Sequence, residues 1–330
     1  MTVYIITPAN FTSGGPELLH QLAFVLGFMG IPAKIVYYSR ETEEFVRADT
    51  PEQYNKYNII VEENFDAINS EENVAVIPET ALFTLGRIEK CRKIMWWLSV
   101  DGYVMSMLYL NGNTDYSTGY TKELDYYNIA GRDDIFHMVQ SEYARDFVIN
   151  KMGVSHENVE YLSDYINDLY LQPLDVSPEK RKNIALYNPK KGYEEILPII
   201  KKSGNEIIWL PIYNMTPLKV RAYMSIAKVY VDFGHHPGKD RIPREAAISG
   251  CCVITNKKGA AAYYKDVPIL EKYKFENVSE STDEIISLIR CIFDDYMSYS
   301  MDFDGYRNII MSEKEKFVED ALRIFKNKKW

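Results

Sequence analysis

The feature that most restricts this chain is the regular return of short β-branched and aromatic runs separated by helix-length intervals. Strands are expected at residues 3–6, 35–38, 58–61, 74–77, 93–98, 135–140 and 159–162, then at 183–187, 207–210, 229–232 and 253–254. Helices are expected between them, among others at 16–29, 142–152 behind a Ser141 cap, 193–202 and 217–225. Such alternation predicts an α/β fold, with parallel sheets covered by helices on both faces. Ligands of these sheets gather just beyond the C-terminal strand ends. There the chain carries Glu79, Thr80, residues 99–103, Ser141 and Glu142.

A chain of 330 residues, 46% of them hydrophobic, suits two α/β domains of about 150 residues each. The expected division is residues 1–170, residues 171–304, and a closing helical stretch at 305–330. Net charge is −9, which argues against a nucleic-acid partner. Tyrosine, at 26 residues against 14 phenylalanines, suits stacking on carbohydrate, although a compositional bias of the genome gives the same excess. Cys251 and Cys252 are adjacent and cannot bridge each other normally, and no C-x-x-C spacing occurs. Free thiols in a reducing cytoplasm are expected. The N-terminus enters a strand with no basic region before it, and no apolar run approaches the roughly 20 residues of a membrane span. These features predict a soluble cytoplasmic protein with scope for peripheral association at the inner membrane face.

Three segments carry the chemistry. The first, after residues 3–6, is a loop of glycine and small polar residues with Gly14 and Gly15 at its end. It lacks a full G-x-G-x-x-G and so is no dinucleotide fingerprint. The second follows residues 183–187, where Lys190 and Lys191 precede Gly192. The third follows residues 229–232: a loop with His235, His236, Lys239 and Arg241, then a helix read as opening at Pro243 with Arg244 and Glu245 in its first turn and Gly250 at its end. A helix N-terminus ringed by Lys239, Arg241 and Arg244 suits an anion. Adjacent histidines on extended backbone point apart, so at most one of His235 and His236 is expected to face a ligand. With no third histidine or cysteine at ligand spacing nearby, no metal is expected there.

The run from Pro243 to Ala260 resembles the C-terminal signature of GT-B glycosyltransferases, especially the large retaining family 4. That resemblance implies two Rossmann-like domains with parallel sheets facing across a cleft, and a last helical stretch, 305–330, that returns to the first domain. Glu245 matches the glutamate that contacts the donor ribose. The position eight residues earlier, a second glutamate in the family, is Pro237 here, so the two-glutamate motif is incomplete. Gly14 and Gly15 match the loop that approaches the donor diphosphate. Lys191, with Lys190 as near alternative, matches the basic residue that neutralises it. The segment from Met95 to Tyr103 resembles a cleft-lining segment of bacterial polysaccharide glycosyltransferases, which makes Asp101 a candidate catalytic base or sugar ligand and Tyr103 an acceptor contact.

The function this implies is transfer of a sugar from a nucleotide-sugar to a glycan or lipid-linked acceptor in bacterial surface polysaccharide synthesis. No cofactor or metal is expected, because lysines, arginines and helix N-termini can hold the leaving diphosphate. A non-catalytic sugar- or nucleotide-binding module, or a sugar-nucleotide epimerase of the same fold, remains the alternative.

Overall fold

The computed structural model describes all residues except 114, 116–118, 174, 175 and 328–330. The chain forms two compact units, Met1–Asp164 with Glu315–Trp330, and Tyr165–Lys314.

In the first unit, strands β1 (Val3–Pro8), β2 (Ala33–Ser39), β3 (Glu44–Phe45), β4 (Ile60–Val61), β5 (Val74–Pro78), β6 (Arg92–Trp97), β7 (Ile135–Val139) and β8 (Val159–Tyr161) form one sheet. Its order is β3-β2-β1-β5-β6-β7-β8, with β4 also pairing to β2. All pairs are parallel except the short β2/β3 hairpin, and Val3 lies opposite both Ala33 and Val74. Every residue of β1, β5 and β7 is buried, which explains why these runs are apolar without alternation.

Helices α1 (Gly14–Phe28), α2 (Val100–Leu110) and α3 (Glu142–Asp146) pack with this sheet. Asp101 and Gly102, which follow β6, lie in the first turn of α2. The Ser99 hydroxyl accepts the Gly102 N–H at 3.0 Å, and Val100, Tyr103 and Met107 turn inward at helical spacing. The two tryptophans of β6 are core. Trp96 donates to the Leu162 carbonyl at 3.2 Å and packs 6.3 Å from the Phe317 ring. Trp97 donates to His137 Nδ1 at 3.0 Å, and burial lowers the pKa of that imidazole to about 4, so it stays neutral and able to accept.

The second unit holds β9 (Lys182–Tyr187), β10 (Ile208–Pro211), β11 (Ala227–Asp232), β12 (Cys252–Asn256) and β13 (Lys274–Phe275). All pairs are parallel, in the order β10-β9-β11-β12-β13. Its helices are α4 (Tyr193–Ser203), α5 (Pro217–Ile226), α6 (Arg241–Ile248), α7 (Thr282–Asp294), α8 (Tyr296–Met301) and the first part of α9 (Asp304–Leu322). All four cysteines are free thiols. Among the described residues no helix is long and apolar enough to cross a membrane.

Gly250 ends α6 as its sequence position suggests. The Gly250 N–H donates to Ala247 at 3.0 Å and the Cys251 N–H to Ala246 at 2.9 Å, a Schellman closure. The turn needs φ of +96° at Gly250, and a Cβ there would overlap the buried Arg181 guanidinium. Arg181 is held by the Met224, Ala227 and Ser249 carbonyls at the ends of α5 and α6. We therefore expect Gly250→Ala to lower stability by at least about 1 kcal/mol through its left-handed backbone alone, with displacement of Arg181 adding to that. Urea unfolding measures this, and an unchanged midpoint would refute the account.

Candidate functional site

At the C-terminal edge of the second sheet, three loops are locked together by residues that have no room for a side chain. Gly192, after β9, has φ of +66°, and a Cβ on it would overlap the Phe233–Gly234 peptide. A Cβ on Gly234, after β11, would lie 2.5 Å from Lys191 Cβ. Gly259, after β12, has φ of +59° and lies against the His236 carbonyl, which accepts the Ala260 N–H at 2.9 Å. Buried Asn256 ties β12 to the β11 loop by donating to the Phe233 and Gly234 carbonyls at 2.7 and 3.0 Å. Asn188 closes its own turn after β9, its Oδ1 accepting the Lys190 N–H at 3.0 Å.

Charged groups sit on this frame in a definite order. Half-buried Lys191 places its Nζ 2.7 Å from Asp240, the residue that precedes α6. His236 is wholly buried between Asp240, 3.3 Å from Nδ1, and Asp232, 3.7 Å from Nε2. Asp232 accepts the Tyr230 hydroxyl at 2.8 Å and the Gly234 N–H at 3.1 Å. His235 is exposed, with its Nε2 beside Gly259. Lys190 is also exposed, 5.9 Å from the Tyr213 ring centre. The loop thus brings Lys191, His236 and Asp240 together.

Helix α6 begins at Arg241, two residues before the expected start. Pro243 fits at its third position because none of the first four N–H groups has a helical partner. Glu245 consequently falls two residues deeper than read, in the second turn; it and Arg241 are half-buried. The larger correction concerns Arg244 and Lys239, read as anion ligands. Arg244 is wholly buried. Its guanidinium donates to Glu313 at 2.8 Å, to the Lys239 carbonyl at 2.9 Å and to the Asp240 carbonyl at 3.2 Å. Lys239 Nζ lies 2.7 Å from the same Glu313 carboxylate, which belongs to α9. Both cations therefore hold the loop and helix to α9.

The sequence also carries one D-x-D spacing, Asp302 and Asp304, next to the start of α9. Asp302 accepts the Tyr273 hydroxyl at 2.6 Å and pairs with Lys272 at 2.7 Å, while Asp304 pairs with Arg307 at 2.8 Å. Among the described residues no three His, Cys, Asp or Glu side chains are grouped to hold a metal.

The first unit has its own concavity at the C-terminal ends of its strands. A cavity of about 410 Å³ is lined by Gly15 at the start of α1, by Tyr38 and Leu98, and by Glu79 and Thr80 after β5. A smaller one of about 240 Å³ shares Glu43, Glu79, Thr80, Phe83 and Ser106 with it. Glu79 is 3% exposed and accepts the Leu98 N–H at 2.9 Å. Burial pushes its carboxyl up to about 7 against the pull of the surrounding backbone amides. Gly14, one residue earlier in α1, is exposed. Asp101 lies outside this lining, half-buried in the first turn of α2, and accepts the Tyr143 hydroxyl at 3.1 Å. Tyr103 is corrected outright as an acceptor contact: it is 0% exposed and donates to Asp125 at 2.9 Å. Helical spacing turns it to the core once residues 100–110 form α2.

No protein-family model and no curated protein matches the sequence. Solved structures do match. A glycosyltransferase from Rickettsia africae ESF-5 is similar over 99% of both chains, with a TM-score of 0.66 and 13% identity. Sucrose-phosphate synthase from Thermosynechococcus elongatus gives 0.66 and 11% identity over 99% of this chain and 98% of that one. Anabaena HepE, solved in complex with UDP-glucose, gives 0.63 and 11% over 97% and 98%. The chain has the GT-B fold of glycosyltransferases.

Two predictions follow the geometry. Arg244→Ala should destabilise the protein by about 3–5 kcal/mol, because it strips one buried partner from Glu313. A variant that unfolds at the native urea midpoint, with weakened nucleotide binding only, would restore Arg244 to the ligand. Glu79 holds its proton more tightly folded than unfolded, so it lowers stability as pH rises from the ordinary 4.5 to about 7. His20 and His137, both lowered to about 4, act oppositely and cost stability as pH falls from 6.5. Glu79→Gln isolates the first effect. Its stability relative to the unmutated protein should rise by on the order of 2 kcal/mol between pH 5 and pH 8, and a constant difference would show that Glu79 titrates normally.

Proposed function

We propose that this protein is a glycosyltransferase. It moves a sugar from a nucleotide-activated donor to a hydroxyl of a glycan or lipid-linked acceptor, in bacterial surface polysaccharide synthesis at the inner face of the membrane. The observation that carries the proposal is the glycine-locked edge of the second sheet. It is a preorganised frame from which Lys191, Arg241 and the N-terminal N–H groups of α6 can meet a diphosphate leaving group. The near full-length likeness to GT-B glycosyltransferases, one solved with UDP-glucose, supports the same reading.

In this scheme Lys191 supplies the positive charge, and Asp240 fixes its position without burying it, since the lysine side chain stays 35% exposed. Exposed Lys190 and His235 extend the same edge toward the donor. Glu245 receives the ribose hydroxyls as the resemblance to retaining family 4 implies. No metal takes part, because the leaving-group charge is met by these side chains and helix amides. Asp101 remains the candidate for contact with the acceptor hydroxyl, held by Tyr143. Pro237, in place of a second glutamate, favours one other reading, a module that binds a nucleotide-sugar without turning it over.

Release of free nucleotide from a panel of UDP-, GDP-, TDP- and CMP-sugars tests both. Turnover that persists in EDTA is expected, and binding without turnover would leave the module. Lys191→Ala should weaken donor binding, more at low salt where phosphate attraction is least screened. Glu245→Ala should cost at least about 10-fold in turnover, as losing a hydrogen bond to a charged group implies. Unaltered nucleotide affinity in Lys191→Ala would move the diphosphate elsewhere.

A further inference from the structure

We infer that the first unit's cavity is a binding subsite for an uncharged, hydroxyl-rich group, a neutral sugar ring, and that the Glu79 carboxyl selects such a ring over anionic sugars. Naming this ring as part of the acceptor rests on the glycosyl-transfer reading; the site itself stands on the geometry of one unit. A volume of about 410 Å³ is within the range of small-molecule sites, and its place beyond parallel strand ends is where such sites form. Phe83 and Tyr38 supply aromatic surface, and Thr80, Ser99 and Ser106 supply hydroxyls.

The side-chain charges of the lining disfavour a carboxylate-bearing ring. Two carboxyls, Glu43 and Glu79, line the cavity against a single cation, Arg40. Arg40 stacks over Phe11, 4.5 Å from the ring centre. Glu79 lines both pockets where they meet, while its Oε2 is fixed by the Leu98 N–H. A carboxyl so held can accept from, or donate to, a ligand hydroxyl, and a buried carboxylate repels any second anion.

The pocket linings and electrostatic partners set few titrating groups near Glu79. β2 and the turn after it bring Tyr38, Arg40 and Glu43. The smaller pocket adds Tyr109 and Tyr127, while α1 and the start of α2 contribute Ser13 and Ser99 without a titrating side chain. Burial raises the pKa of Tyr38 and Tyr127 further from neutrality, so neither ionises there. A pH response near neutrality is therefore assigned to Glu79, which burial pushes up to about 7.

The test titrates the full chain with methyl glycosides of glucose, galactose, mannose and N-acetylglucosamine, and with methyl glucuronide and galacturonide, at pH 6 and pH 8.5. Uronides stay ionised at both. At least one neutral glycoside should bind at millimolar concentration, and uronides should bind at least about 10-fold more weakly at pH 8.5, with a smaller gap at pH 6. Glu79→Gln should weaken the neutral glycoside about 10-fold and abolish the pH dependence. Should that variant fail to fold, Ser106→Ala and the pH profile of the unmutated protein carry the test. Uronides binding as well as neutral glycosides, no glycoside binding, or a Gln variant with unaltered affinity and pH profile would each overturn the inference. Nucleotide-sugars are titrated alongside. Nucleotide binding without glycoside binding sinks this inference alone, whereas binding of neither sinks the proposed function as well.

Discussion

The ligand edge of the second unit depends on direct contact between main chains. Gly192, Gly234 and Gly259 let three loops approach until no Cβ fits between them, and Asn256 closes the gap with two hydrogen bonds. The Lys191–Asp240 pair and the burial of His236 follow from that approach. Backbone atoms carry no rotamer freedom, so a frame built from them holds its side chains at lower entropic cost than a frame of interdigitated side chains would. Preorganisation of this kind is what electrostatic stabilisation of a leaving group requires.

The basic residues around α6 divide by where they can be hydrated. Lys190 and His235 are exposed, and Lys191 and Arg241 are half-buried. Lys239 and Arg244 are buried and share Glu313. Desolvating two cations is tolerable only because one carboxylate and several carbonyls meet them together. The same arithmetic makes them poor phosphate ligands, since a phosphate would have to compete with a buried carboxylate. One residue run thus contains both the charges that face outward and the charges that keep α9 in place.

The strand runs were readable in sequence because both sheet faces are covered, which forces unbroken apolar segments such as Val3 to Ile6 and Val74 to Ile77. Helix α6 was legible through Gly250, whose left-handed turn leaves a plain trace, but its start was not. Proline is tolerated anywhere in a first turn, so Pro243 marked the neighbourhood and not the boundary. α2 was hidden because Asp101 and Gly102 look like a turn until the Ser99 cap is weighed. Glu79 lay among the residues past strand ends, yet nothing local shows that its carboxyl is buried between two pockets. Arg244 and Glu313 lie 69 positions apart. No spacing rule links them, and only the tertiary structure shows that Arg244 is structural. Asn256 hides for the same reason.

The glycine contacts also bear on how such a protein can diversify. Gly192, Gly234 and Gly259 admit no side chain at all, so substitution there breaks the frame before it alters recognition. Their neighbours Lys190, His235 and Lys258 are open to water or only partly covered, and can be exchanged at little structural cost. The scaffold therefore separates the positions that evolution must leave alone from those it can vary. Changes in what this edge recognises are accessible by single replacements on an unchanged main chain.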